Sequence, residues 1–178
     1  MPLFTPHPLL ERQFTLPHPA ATERFGQCFA QALTRLYHSG CFTALRVHLY
    51  GALGAGKTAW VRAALLALGI SGRIRSPTYT LVEHYALELL NPISKTLEIL
   101  DIYHFDLYRF THPVEWTEAG FREYLAAHAL CLIEWPERAG DLLGIPDLVL
   151  MLEIERDGRR LTAHAFSQIG QTILIQCS

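Results

Sequence analysis

Charge is scarce in this chain and nearly balanced. Fifteen Lys and Arg face 17 Asp and Glu over 178 residues, a formal net charge of -2. That composition lacks the basic excess of a protein that grips nucleic acid with its own surface. Cysteine is also sparse: Cys28, Cys41, Cys131 and Cys177 are far apart and form no C-x-x-C pair. The spacing offers neither a zinc site nor a disulfide framework, and the expectation is reduced, buried thiols in a cytoplasmic protein. No apolar run approaches the roughly 20 residues that span a bilayer. The opening Met1-Pro2-Leu3-Phe4-Thr5-Pro6-His7-Pro8 has no basic n-region and no long apolar core, so it does not read as a signal peptide. No repeat occurs at solenoid periods.

Apolar residues are plentiful, at 50% against 18% charged, enough for a globular core. The expectation is one domain over residues 1–178, with a flexible, proline-rich tail at 1–10.

The densest signal is Gly51-Ala52-Leu53-Gly54-Ala55-Gly56-Lys57-Thr58. It fits the phosphate-loop template G-x-x-x-x-G-K-[ST]. A β-rich run, Phe42 to Tyr50, leads in, and a helix-forming run, Ala59 to Leu68, leads out. Glycines let the backbone curl around a phosphate, and the helix N-terminus adds partial positive charge. Lys57 has the reach for the β- and γ-phosphates, and the Thr58 hydroxyl can bind Mg²⁺.

Elsewhere, Glu11 to Leu16 reads as an edge strand. His18-Pro19 opens a helix, with an apolar stripe of Phe25, Cys28, Phe29, Ala32, Leu33 and Leu36 and a stop at Gly40. Thr78 to Tyr85 and Thr96 to Asp106 read as strands of a hairpin, with its turn signal at Asn91-Pro92. A helical stretch from Thr111 to Leu125 breaks near Gly120. Ala129 to Glu134 is a short apolar strand, and Glu137 to Leu143 a short helix. Asp157-Gly158 between two alternating runs signals a late β-hairpin. Gln171 to Gln176 reads as β-rich. The sum is an α/β fold with a mixed, partly parallel sheet flanked by helices.

Three further clusters carry chemistry. Cys131-Leu132-Ile133-Glu134 is an apolar strand ending in a carboxylate, the position from which P-loop enzymes hold Mg²⁺ or orient water. In His104-Phe105-Asp106-Leu107-Tyr108-Arg109, alternation puts His104 and Asp106 on one strand face. They could face the metal, or form a buried His–Asp bond. Arg109 could neutralise phosphate charge or make a surface ion pair. In Ser76-Pro77-Thr78-Tyr79-Thr80, Thr78 or Thr80 could serve as a switch-loop ligand to Mg²⁺. Asp141-Leu142-Leu143-Gly144 matches D-x-x-G, but no N-K-x-D follows. It reads as a helix end, and the nucleotide as ATP.

These segments, in this order, resemble the TsaE (YjeE) ATPases of bacterial tRNA threonylcarbamoyladenosine biosynthesis. The similarity runs from about Phe14 to Phe166 and rests on four motifs: Gly51 to Thr58, Ser76 to Val82, His104 to Arg109, and Ile133-Glu134-Trp135-Pro136-Glu137. The resemblance implies a P-loop NTPase-like fold. It implies nucleotide contacts from Gly51, Leu53, Gly54, Ala55, Gly56, Lys57, Thr58, Thr22 and Trp135, and metal contacts from Thr58 and Glu134. It also implies catalytic roles for Glu134, Asp106 and Lys57. ATP would be the substrate and Mg²⁺ the cofactor. The partners would be the threonylcarbamoyl transferase subunit and its inactive paralogue (TsaD and TsaB types), with adenosine 37 of tRNA reached only through them. Hydrolysis would be weak alone and stimulated by that complex. The chain departs from the family at Ala52, where relatives usually carry Asp, and in an 86–100 segment longer than in short family members. Two other readings of the residues stay open: a small P-loop kinase of a nucleoside or metabolite, and a regulator that senses ATP without hydrolysing it.

Overall fold

The computed structural model describes residues 7–77, 79–91 and 93–177. Seven strands form one sheet, flanked by helices on both faces. In chain order the elements are β1 (Leu10–Leu16), α1 (Pro19–His38), β2 (Leu45–Tyr50), α2 (Lys57–Ala67), β3 (Val82–Leu90), β4 (Leu97–Asp106), α3 (Val114–Glu118), α4 (Arg122–Ala126), β5 (Ala129–Glu134), β6 (Leu148–Glu155), β7 (Gly158–Ala165) and α5 (Gln168–Gln176). Two 3-10 turns, Pro136–Arg138 and Gly140–Leu143, follow β5. The strand order is β1-β7-β6-β2-β5-β4-β3. The four central strands run parallel, and the strands outside them pair antiparallel.

Every residue of β5 is buried, which is why it reads as an unbroken apolar run: a central parallel strand is covered on both faces. On one face lie α1, α2 and α5. Phe29, Leu33, Trp60 and Leu65 pack there against Leu45, Val47 and Leu49 of β2. Gly26 sets the spacing of α1 against α2, because a Cβ there would lie 2.9 Å from the Ala63 Cβ. The other face is a smaller core of Phe105, Trp116, Phe121 and Ile133 under α3, α4 and the 3-10 turns.

Register does the positioning. Leu49 at the end of β2 is level with Glu134 on β5, and Glu134 is level with Asp106 on β4. The loop after β2 and two carboxylates therefore meet at one edge, outside the carboxyl ends of the parallel strands, where open α/β sheets place their sites.

Several expectations are corrected. Gln171 to Gln176 is not a strand but part of α5. Ser167 caps that helix by accepting from the Gly170 amide at 3.1 Å, and Ile173 and Leu174 are buried. Burial and capping override the β propensity of its Thr and Ile residues. The strand expected over Thr78 to Tyr85 begins only at Val82, because a turn closes from the Leu81 amide to the Pro77 carbonyl and Leu81 is left-handed (φ 65). It then continues through the expected turn to Leu90, held by β4 along its whole length. The reversal is made by Asn91, whose side-chain oxygen accepts from the amides of Ile93 and Ser94. In the late hairpin Gly158 already pairs with Glu155, so the loop residues are Arg156 and Asp157. Glycine is needed at 158 because a Cβ would lie 2.6 Å from the Leu16 carbonyl oxygen.

β1 begins at Leu10, inside the stretch expected as a tail, and the Leu9 amide already bonds the Ala165 carbonyl. Of the thiols, only Cys131 is buried, and burial pushes it up to about 12. Cys41 is exposed, and Cys28 and Cys177 are half-buried.

Candidate functional site

The Gly51–Thr58 loop leaves β2 between that strand and α2. Gly51 (φ 143) passes so close to β6 that a Cβ would collide with the Leu152 carbonyl. Gly56 (φ 106) is the left-handed residue at which the chain turns into α2. The helix begins at Lys57, so its first amides have no partner within the helix and point into the loop.

Lys57 is 4% exposed, and its Nζ is held inside the loop. It donates to the carbonyls of Gly51 (2.6 Å) and Ala52 (3.1 Å) and lies 3.7 Å from the centre of the Trp135 ring. Burial pushes its pKa down, and Glu134, Glu137 and Asp106 pull against that. Trp135 is brought over the lysine by a left-handed backbone (φ 57) directly after β5, with its amide bonded to the Leu49 carbonyl.

Glu134 is 2% exposed and is the hub of the site. Its Oε2 accepts from the Thr58 hydroxyl at 2.9 Å, and its Oε1 from His104 Nε2 at 2.8 Å. His104 therefore meets Glu134 on the neighbouring strand, so of the two readings of the His104–Asp106 pair the structure does not make the buried His–Asp bond. Its Nδ1 is buried with no hydrogen-bond partner among the described residues. Asp106 accepts instead from the Ser76 hydroxyl at 2.5 Å and the Tyr108 amide at 3.2 Å. Gly54, Gly56, Lys57, Thr58, Ser76, Asp106, Glu134 and Trp135 line one cleft of about 310 Å³, with Leu53 at its exposed lip.

Thr22 and Ala55 lie on the other side of the loop. They line a second cleft of about 270 Å³ with Leu16, Asp157 and Arg159. The remaining candidates fall outside the first cleft. Arg109 lays its guanidinium over the Tyr79 ring at 4.4 Å, neither on the cleft nor in an ion pair with a described residue. Thr80 is exposed and donates to Glu83 at 2.9 Å. Thr78 lies outside the described residues. Ser76 and Arg159 make contacts that the sequence does not single out. Ser76 lies in the Ser76-Pro77-Thr78-Tyr79-Thr80 motif, where Thr78 and Thr80 are the more obvious metal-ligand hydroxyls. Arg159 carries no sequence signal, because its contacts are made across the fold.

The oxygens of Thr58, Glu134 and Asp106 suit a hard cation such as Mg²⁺. Among the described residues no three carboxylates, histidines or cysteines gather to hold a metal. A site of one or two carboxylates completed by phosphate oxygens is the usual Mg²⁺ arrangement, so the donor set fits.

Fold and loop together define a single α/β domain of the P-loop NTPase type. The family model described as "Threonylcarbamoyl adenosine biosynthesis protein TsaE" matches residues 16–162, and the chain belongs to that family. A Haemophilus influenzae protein named tRNA threonylcarbamoyladenosine biosynthesis protein TsaE is 38% identical over 151 residues, covering 85% of this chain and 87% of its own. A Bacillus subtilis protein of the same name is 30% identical over 129 residues, covering 72% and 73%. The crystal structure of Bacillus subtilis YdiB matches over 94% of both chains with a TM-score of 0.67 at 22% identity, a likeness of fold. Family membership assigns the chain to tRNA threonylcarbamoyladenosine biosynthesis.

Proposed function

We propose that the protein is a Mg²⁺-dependent ATPase that acts on the threonylcarbamoyl transferase subunit and its inactive paralogue. ATP turnover would reset that pair between rounds of adenosine 37 modification. The observation that carries this reading is the Thr58–Glu134 contact at 2.9 Å, next to a buried Lys57. It joins the metal-binding end of the phosphate loop to an acidic strand end, as phosphoryl-transfer sites require. Bound Mg²⁺ would neutralise charge on the β- and γ-phosphate oxygens. Thr58 and Glu134 would hold it, and Glu134 would orient the attacking water. His104 fixes the Glu134 rotamer, and Ser76 fixes that of Asp106, the second carboxylate. Lys57 reaches the β- and γ-phosphates, and the Trp135 ring restricts its path. Thr22 and Ala55 back the loop from the other cleft. No helix among the described residues is long and apolar enough to cross a membrane, and the work we propose is cytoplasmic.

The test is ATP hydrolysis by the purified protein, alone and with the reconstituted transferase pair. Slow turnover alone, stimulated by the pair and lost in Lys57→Ala and Glu134→Gln, is the expected result. Glu134→Gln should still bind ATP within about threefold of wild type while turnover falls at least a hundredfold, as loss of a water-orienting group predicts. Full stimulated turnover in Glu134→Gln would sink the catalytic assignment. Phosphate transfer to a small hydroxyl acceptor with no partner present would replace this reading with a kinase.

A further inference from the structure

Arg159 is the second residue of β7, 104 residues along the chain from Ala55 of the phosphate loop. Its Nε donates to the Ala55 carbonyl at 2.9 Å, its Nη2 to the Gly54 carbonyl at 3.0 Å, and its Nη1 to the Gly158 carbonyl at 2.7 Å. All three nitrogens of one planar fork are thus fixed to backbone, two of them on the loop. The guanidinium lines the second cleft, behind the loop, and not the cleft of Lys57 and Glu134.

We propose that Arg159 is a positioning residue that presets the phosphate loop for its anion, an inference that rests on the nucleotide reading above. In a trans peptide the C=O and N–H point in opposite directions. Drawing the Gly54 and Ala55 carbonyls backwards onto Arg159 turns the next two amides forwards. The Ala55 amide closes the loop onto the Ala52 carbonyl at 3.1 Å. By the same geometry the Gly56 amide would face the front cleft, which Gly56 lines. These peptides are flanked by Gly54 (φ 78) and Gly56 (φ 106), which oppose rotation less than other residues. An external clamp is therefore what keeps them from flipping. The cation behind the two carbonyls also polarises the peptides and strengthens their N–H groups as donors. A lysine supplies the charge but not the fork.

Arg159→Gln, Arg159→Lys and the neighbouring Arg160→Gln would be compared by two measurements. Arg160 is the control: it lies on the same strand but pairs with Glu153 and Glu155, away from the loop. The first measurement is the Gly56 amide shift and hydrogen exchange in the unliganded protein, with its Tm. The second is calorimetric Kd for MgATP. We expect Arg159→Gln to speed Gly56 exchange and weaken MgATP roughly tenfold, the scale of a lost charge-assisted hydrogen bond, at a near-wild-type Tm. Arg159→Lys should recover part of the affinity, and Arg160→Gln should match wild type. An unchanged Gly56 amide in Arg159→Gln overturns the clamp, and an unchanged Kd overturns its role in binding. A collapse of Tm in both Arg159 variants, with affinity falling in step, overturns positioning in favour of a structural role. If wild type binds no nucleotide, the proposed function fails, and the Gly56 amide still decides whether Arg159 holds the loop.

Discussion

Two buried histidines on opposite faces of the sheet have different fates. His104 reaches Glu134 and belongs to the site. His48 on β2 has an Nε2 without a partner among the described residues, and burial, with help from Arg46, pushes its pKa down from 6.5 to about 4. The unfolded chain therefore takes up a proton that the folded chain refuses. Stability from His48 is complete above pH 6.5 and is lost as pH falls towards 4, on the order of 3 kcal/mol over that span. His48→Leu should remove about 2 kcal/mol of the stability difference between pH 7 and pH 5, read by urea denaturation at both values. An equal loss in variant and wild type would mean that other groups set the acid limit. His104 makes a different prediction. His104→Ala frees the Glu134 carboxylate from its orienting donor, so turnover should drop by one to two orders of magnitude while nucleotide affinity holds, by the same assay of stimulated hydrolysis. Equal losses in Kd and turnover would instead point to a collapsed cleft.

At the scale of elements, close approach is what the helices and strands share. Gly26 lets α1 reach α2, and α2 carries Lys57 and Thr58. Gly26→Val would overpack that contact, and we expect a loss of about 2 kcal/mol by urea denaturation, with weaker nucleotide binding because α2 must shift. Retention of both would show that the helices separate without moving the loop. At the other end of the chain, α5 depends on its Ser167 cap. Ser167→Ala should cost about 1 kcal/mol and leave the site untouched. The outer half of the β3–β4 hairpin contributes little core: Leu90, Ile93, Leu97 and Ile99 are all exposed. It extends the sheet edge away from the loop, so this part of the hairpin is separate from the carboxylate cluster.

At the scale of the whole molecule, ligand binding and stability are one equilibrium. MgATP at a hundred times its Kd would add about 2.7 kcal/mol to the folded state, a rise of roughly 5–10 °C in Tm for a chain of this size. Lys57→Ala should abolish that rise, and differential scanning fluorimetry would read it directly. An unmoved Tm in wild type would count against nucleotide as the ligand. Local segments were legible from the sequence wherever the physics is local. The phosphate loop is set by glycine conformations and by the Lys-Thr pair that follows them, β5 by an unbroken apolar run, and α1 by its 3.6-residue stripe. The carboxylate at the end of β5 was legible for the same reason: it terminates an apolar strand. What the sequence could not decide was which side chains meet. Alternation puts His104 and Asp106 on one strand face, but only the packed sheet shows that His104, level with Leu132, reaches along that face to Glu134 while Asp106 takes the Ser76 hydroxyl. The tail reads as strand by propensity, yet a cap and a buried face make it helix. Arg159 is silent in the sequence because its bonds to Gly54 and Ala55 exist only once β7 folds against the loop. Backbone preference and hydrophobic period act over a few residues and can be read in order. Hydrogen bonds between distant strands depend on register, which only the packed sheet fixes.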